Sequence, residues 1–178
     1  MVIIEQIEIF MGEHPMGEDL RRLLLHESKT VDYNMSYKTN VQASMTEWSM
    51  KTRGIKMMEN WIMHEVLGAY NKDDDLHMHN TWFAKYSKEE YTKSHIHLPS
   101  VFSFVYFIQS PPGSSPLVFS YSKEEIEPKE GLFVMFPSLV YHHVPPNKCD
   151  DRIVLSGNIS VARGMLNNER SDDWRQRD

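Results

Sequence analysis

The sequence predicts a mainly β domain, a sandwich or barrel rather than a parallel sheet, with its helices gathered before residue 73. Three observations carry this expectation. Short β-like runs recur from Leu76 onward, turn formers separate them, and the one clear helical period lies upstream of them all.

Val2 to Phe10 alternates, with Ile4, Gln6 and Glu8 on one face and Ile3, Glu5, Ile7 and Ile9 on the other, as an early half-buried strand does. Pro15 and Gly17 lead into a short helix over Glu18 to Glu27, and the polar, Asn/Tyr-rich stretch Thr30 to Asn40 reads as loop. Ile55, Met58, Ile62, Val66 and Ala69 are spaced as one apolar helix face, and Asn71-Lys72-Asp73-Asp74-Asp75 ends that helix. The β-like runs are Leu76 to Tyr86, Val101 to Gln109, Pro116 to Tyr121, Gly131 to Phe136 and Arg152 to Val161. Ser110-Pro111-Pro112-Gly113-Ser114-Ser115 and Pro145-Pro146-Asn147 supply turns between them. The reading is one domain over 1–178: an initial strand and supporting helices in 1–72, a β core in 73–163, and a charged tail in 164–178.

Composition bounds the function. A chain of 178 residues suits a single domain, and 40% hydrophobic residues with 8 Phe, 8 Tyr and 4 Trp can fill its core. Nineteen Lys and Arg against 25 Asp and Glu give a net charge of −6 with no basic block, which disfavours a nucleic-acid partner. The single cysteine, Cys149, excludes an internal disulfide and a multi-cysteine zinc site, so a reducing cytoplasm is the default location. No apolar run approaches the ~20 residues of a membrane span, and Glu5 and Glu8 interrupt what would otherwise read as a signal peptide.

Four of the nine histidines fall in two His-x-His pairs. In an extended segment residues i and i+2 share a face, so His95 and His97 are half of a metal site, or else two exposed strand residues. His142 lies 45 residues beyond His97, about the length of several antiparallel strands, so a late strand can return beside an early one and supply a third ligand. Arg152 shares its parity with Ser156 and Asn158; it sits at a strand rim in water, or inside with a carboxylate to neutralise it. Three ligands on one side of an iron leave positions open for a bidentate cosubstrate and dioxygen. His77-Met78-His79 is a rival pair that follows an acidic turn and is expected to face solvent. His143 takes the place of His142 if the strand slips by one residue.

The order Trp82…His95-x-His97…Ser103-x-Val105-Tyr106…Gly131-Leu132-Phe133-Val134-Met135-Phe136-Pro137-Ser138…His142-x-Val144…Asp151-Arg152-Ile153…Asn158 resembles the 2-oxoglutarate/Fe(II)-dependent oxygenases of bacteria and bacteriophages. It spans roughly Asn80 to Ser160, and the Phe-Pro-Ser…His-x-Val…Arg-Ile run is its most specific part. The resemblance implies a double-stranded β-helix (jelly roll, cupin-like) buttressed by helices. It implies Fe(II) on His95, His97 and His142, the distal carboxylate of 2-oxoglutarate on Arg152, and Asn158 and Tyr106 near that cosubstrate. His97 departs from the family's general pattern, which has Asp or Glu as second ligand, although His-x-His is common in this subgroup; the site then carries one negative charge fewer.

The reaction implied is oxidative decarboxylation of 2-oxoglutarate to succinate and CO2, coupled to hydroxylation of a protein side chain or small metabolite. Phe104, Tyr106, Phe119 and Phe133 then line the site or simply fill the core. Two other readings remain: a cupin-like three-His iron dioxygenase that needs no keto acid, and a non-catalytic jelly-roll module that binds a partner through exposed aromatics. The implied setting is the cytoplasm of a bacterial or phage-infected cell, and a homodimer is a base-rate expectation only.

Overall fold

Strand parity decides the architecture of this protein. In its long strands one set of alternate residues is apolar and meets two helices, while the other set meets a second sheet. The computed structural model describes residues 7–68 and 76–161. In chain order its elements are β1 (Phe10–Glu13), α1 (Gly17–Ser28), β2 (Val41–Gln42), β3 (Ser44–Met45), α2 (Arg53–Trp61) and a π-helical turn (Ile62–Val66). Then follow β4 (Leu76–Tyr86), β5 (Tyr91–His95), β6 (Phe102–Gln109), β7 (Leu117–Phe119), β8 (Glu125–Ile126), β9 (Leu132–Pro137), β10 (His142–Val144) and β11 (Arg152–Val161).

The larger sheet has the order β1-β9-β6-β11-β4-β3 and the smaller one β2-β5-β10-β7-β8, with every strand pair antiparallel. On the outer face of the larger sheet Phe83, Phe104, Tyr106, Phe133 and Leu155 pack on Leu20 and Leu24 of α1 and on Ile55 and Met58 of α2. Each such apolar side chain contributes about 1.5–3 kcal/mol by leaving water. On the inner face Trp82, Ala84, Tyr86, Phe107, Phe136 and Val154 meet Leu117, Phe119 and Val144 of the smaller sheet. Gly157 is required where β11 passes between β4 and β6, because a Cβ there would stand 2.5 Å from the Phe104 ring and 2.6 Å from the Asn80 carbonyl oxygen.

The expected helices form with shifted ends. Thr52 caps α2, its hydroxyl accepting from Ile55 N at 3.3 Å, and the Glu27 carboxylate at the end of α1 accepts from Gly54 N at 3.0 Å. The second helix therefore starts at Arg53, before the apolar period is visible, and its last turn widens so that Leu67 N bonds Ile62 O at 2.9 Å. The early strand departs from expectation. Residues 7–9 are not extended in a sheet, and β1 begins only at Phe10, where β9 offers an edge to pair with. The remainder of that expected strand, Val2 to Gln6, lies outside the described residues, as do Ala69, the turn Asn71 to Asp75 and the tail 164–178. The five β-like runs all form within a residue or two of their expected ends. The expected solvent-facing pair His77 and His79 is exposed on β4. Among the described residues no helix is long and apolar enough to cross a membrane.

Candidate metal centre and ligand cavity

Register brings the first two histidines together: β10 pairs antiparallel with β5 so that His142 lies opposite His95. His97 arrives from the loop after β5, where its backbone N–H donates to Ser138 O at 2.9 Å. Ser138 N in turn donates to Val101 O at 2.9 Å, which fastens that turn to the start of β6. The result is three imidazoles whose ligand atoms all lie within 4.8 Å of one another.

Tautomers are set by the backbone. His95 Nδ1 donates to Lys93 O at 2.7 Å and His142 Nδ1 donates to Val140 O at 2.9 Å, which leaves each Nε2 as the lone-pair atom. His95 Nε2 and His97 Nε2 are 3.1 Å apart. Burial holds the rings neutral: it pushes His142 down to about 3 and His97 down to about 4, and it lowers His95 as well, against the opposing pull of the Lys93 carbonyl. Phe136 covers His142 edge-on, with ring centroids 4.7 Å apart. Three neutral, pre-aimed nitrogens suit a divalent transition metal of the Fe(II), Ni(II) or Zn(II) kind. His143, the register alternative, turns the other way and its Nδ1 pairs with the Ser120 hydroxyl at 3.0 Å.

Arg152 opens β11 and points inward, only 1% exposed. A narrow cavity between the sheets has Arg152 and the three histidines in its wall, with Tyr86, Thr92 and Leu117 between them. The guanidinium lies over the Tyr86 ring at 4.7 Å, and its Nε donates to Ser115 O at 3.2 Å. Its Nη1 has no partner, and among the described residues no carboxylate lies within ion-pair distance. Burial pushes its pKa down, opposed by Tyr86. A buried cation with an orphaned donor is costly unless something anionic meets it.

A second, wider cavity of about 300 Å³ abuts His95 and His97 and is walled by Trp48, Trp82, His79, Asn80 and Asn158. Asn158 is held by a buried chain: Ser103 Oγ donates to Asn158 Oδ1 at 2.8 Å, Ser138 Oγ is 2.8 Å from Ser103 Oγ, and Asn158 Nδ2 donates to Asn80 Oδ1 at 2.8 Å. The structure thus gathers His95, His97, His142, Arg152 and Asn158 around two adjoining cavities. It does not gather Tyr106. Ser103 and Phe107 face inward from β6, so Tyr106, of the other parity, faces the helices, where burial raises its hydroxyl to about 12. Phe104 and Phe133 belong to that helix-side core too, whereas Phe119 is inside, against Phe136. Asn80, Tyr86 and Ser115 were not singled out from sequence; Asn80 and Tyr86 share the parity of Trp82, which is the signal that would have found them.

No protein-family model and no curated protein sequence matches the chain. Solved structures do. A viral collagen prolyl hydroxylase from Paramecium Bursaria Chlorella virus-1, in complex with 2-oxoglutarate, superposes with a TM-score of 0.68 at 15% identity, covering 85% of this chain and 94% of that one. A Pseudomonas putida prolyl-4-hydroxylase gives 0.68 at 20% identity over 85% and 91% of the two chains. A Trichoplax adhaerens prolyl hydroxylase bound to a peptide fragment of hypoxia inducible factor gives 0.61 at 14% identity over 84% and 82%. Two facing antiparallel sheets buttressed by helices, superposing on these structures over most of their length, give this chain the double-stranded β-helix fold of the 2-oxoglutarate/Fe(II) oxygenases.

Proposed function

We propose that this chain is a 2-oxoglutarate- and Fe(II)-dependent dioxygenase that hydroxylates a protein side chain or small metabolite, releasing succinate and CO2. On this reading residues 1–178 act as one domain, in which 1–72 buttress the core, 73–163 carry the site and 164–178 form a tail, in the cytoplasm of a bacterial or phage-infected cell. The observation that carries the reading is Arg152. A guanidinium buried to 1% exposure, with Nη1 unpaired and three convergent histidines in the same cavity wall, fits one end of a dicarboxylate whose other end meets a metal. The donor set fits as well, being three neutral imidazoles, two of which, His95 and His142, have tautomers fixed by backbone carbonyls.

Bound iron and keto acid supply the oxidising chemistry. The chain's own residues hold and shield it. His95, His97 and His142 bind the metal, Arg152 orients the cosubstrate, and Phe119 and Phe136 keep water from the His142 side. Asn158 and Asn80 form part of the wall against which substrate is placed. The reading requires that anaerobic Fe(II) and 2-oxoglutarate together produce a visible metal-to-ligand charge-transfer band in the wild-type chain and none in a folded His142→Ala variant. Folded wild-type protein that takes up no Fe(II), or takes it up and shows no band with 2-oxoglutarate, overturns it.

A further inference from the structure

Among the described residues no acidic side chain lines either cavity. Among the described residues that line them Arg152 is the one formally charged side chain, in a protein whose net charge is −6. If the site is loaded as proposed above, a divalent metal and Arg152 bring three positive charges, and a dicarboxylate balances two. In a facial triad with a carboxylate ligand the protein itself supplies the third. Here His97 stands in that place and supplies none. One positive charge is left over beside a cavity of about 300 Å³, a volume that suits a small molecule.

The wall of that cavity is built to receive the balancing charge. Asn80 Oδ1 accepts from Asn158 Nδ2, and Asn158 Oδ1 in turn accepts from Ser103 Oγ in the buried chain behind it. Asn80 Nδ2 finds no partner among the described residues and remains as a donor at the cavity wall. Trp48 and Trp82 supply flat apolar surface on the same cavity. We infer that the substrate is a small carboxylate-bearing molecule, its carboxylate meeting Asn80 Nδ2 and balancing the charge that His97 leaves uncompensated. This inference rests on the proposed function, and it selects one substrate class from the two that function allows.

A charge series of near-identical shape tests it: indole-3-acetate, indole-3-acetamide and tryptamine, titrated by calorimetry into the full chain loaded with Ni(II) and 2-oxoglutarate. An uncompensated charge within the cavity predicts that the acid binds about tenfold tighter than the amide, with the amine weakest. In Asn80→Asp, which keeps the shape and adds the missing negative charge, the acid should lose its advantage over the amide. Equal binding of the three probes, a preference for the amine, or binding of none of them to protein that has taken up 2-oxoglutarate overturns the inference and leaves the oxygenase reading standing. Failure to take up metal or 2-oxoglutarate at all, measured in the same cell beforehand, overturns both.

Discussion

Replacing Arg152 by methionine should raise the stability of the ligand-free protein while nearly abolishing its response to 2-oxoglutarate. The guanidinium is buried, with its Nε donating to Ser115 O at 3.2 Å, the Tyr86 side chain opposing the effect of burial, and Nη1 unpaired. Methionine keeps the contacts to Tyr86 and Phe107 and removes a desolvated charge, a gain of about 1–3 kcal/mol, against about 1 kcal/mol for the orphaned Ser115 carbonyl. The net, about 0–2 kcal/mol, lifts the midpoint of metal-loaded, cosubstrate-free protein by up to roughly 8 °C for a chain of this size. The charge-assisted pair to the cosubstrate is worth about 3 kcal/mol, roughly a hundredfold in affinity. At a 2-oxoglutarate concentration about a hundred times the wild-type Kd, the native protein gains about 2.7 kcal/mol, roughly 5–10 °C, and the variant gains about 0.4 kcal/mol, roughly 1 °C. Differential scanning fluorimetry with Ni(II), with and without 2-oxoglutarate, reads both effects. A variant that is less stable without cosubstrate and still gains several degrees with it would refute the reasoning, because Arg152 would then be a structural cation with a partner other than the ligand.

Three further outcomes follow from the packing. Ser103→Ala leaves the Asn158 carbonyl and the Ser138 hydroxyl without their partner in the buried chain and should cost about 1–3 kcal/mol in urea unfolding; a loss under ~0.5 kcal/mol would mean the chain is not satisfied as described. Gly157→Ala drives a Cβ against the Phe104 ring and the Asn80 carbonyl, an overpacking cost of about 1–3 kcal/mol, and a variant of unchanged midpoint contradicts the close approach. In metal-free protein His142 and His97 are held neutral, at about 3 and about 4, while an unfolded imidazole titrates near 6.5. Between those values the unfolded chain binds more protons, so stability should fall as pH drops from about 6.5 toward about 3, seen as a falling urea midpoint; a midpoint that holds level or rises on acidification is inconsistent with buried neutral rings.

Much of the site was legible because it rides on long, strongly patterned strands. β4, β6, β9 and β11 each place enough apolar residues for period and turns to agree, and the spacing of His95, His97, His142 and Arg152 survives into the structure as a shared cavity wall. β2, β3 and β8 are two residues each, below the length at which any period exists, and they form only because a neighbouring edge accepts them. Tyr106 shows a different limit. Ser103 and Tyr106 are three apart in one strand and face opposite ways, so they cannot share a cavity; sequence order alone does not say which of them faces in. Asn80 was hidden for the converse reason, as its importance lies in being paired with Asn158 across β4 and β11, 78 positions away.

The nine residues between His142 and Arg152 include a crossing between sheets, and this explains why the two can serve one ligand. β10 belongs to the smaller sheet and β11 to the larger, so both side chains point into the space between sheets from opposite walls. The connection is anchored at Asn147, which is fully buried: its N–H donates to Glu90 O at 2.8 Å and its Oδ1 accepts from Ser115 N at 2.9 Å. Ser115 is the residue whose carbonyl accepts from Arg152 Nε. Asn147 therefore fixes both the path of the crossing and the acceptor that orients the guanidinium, so the distance from metal ligand to carboxylate anchor is set by backbone contacts.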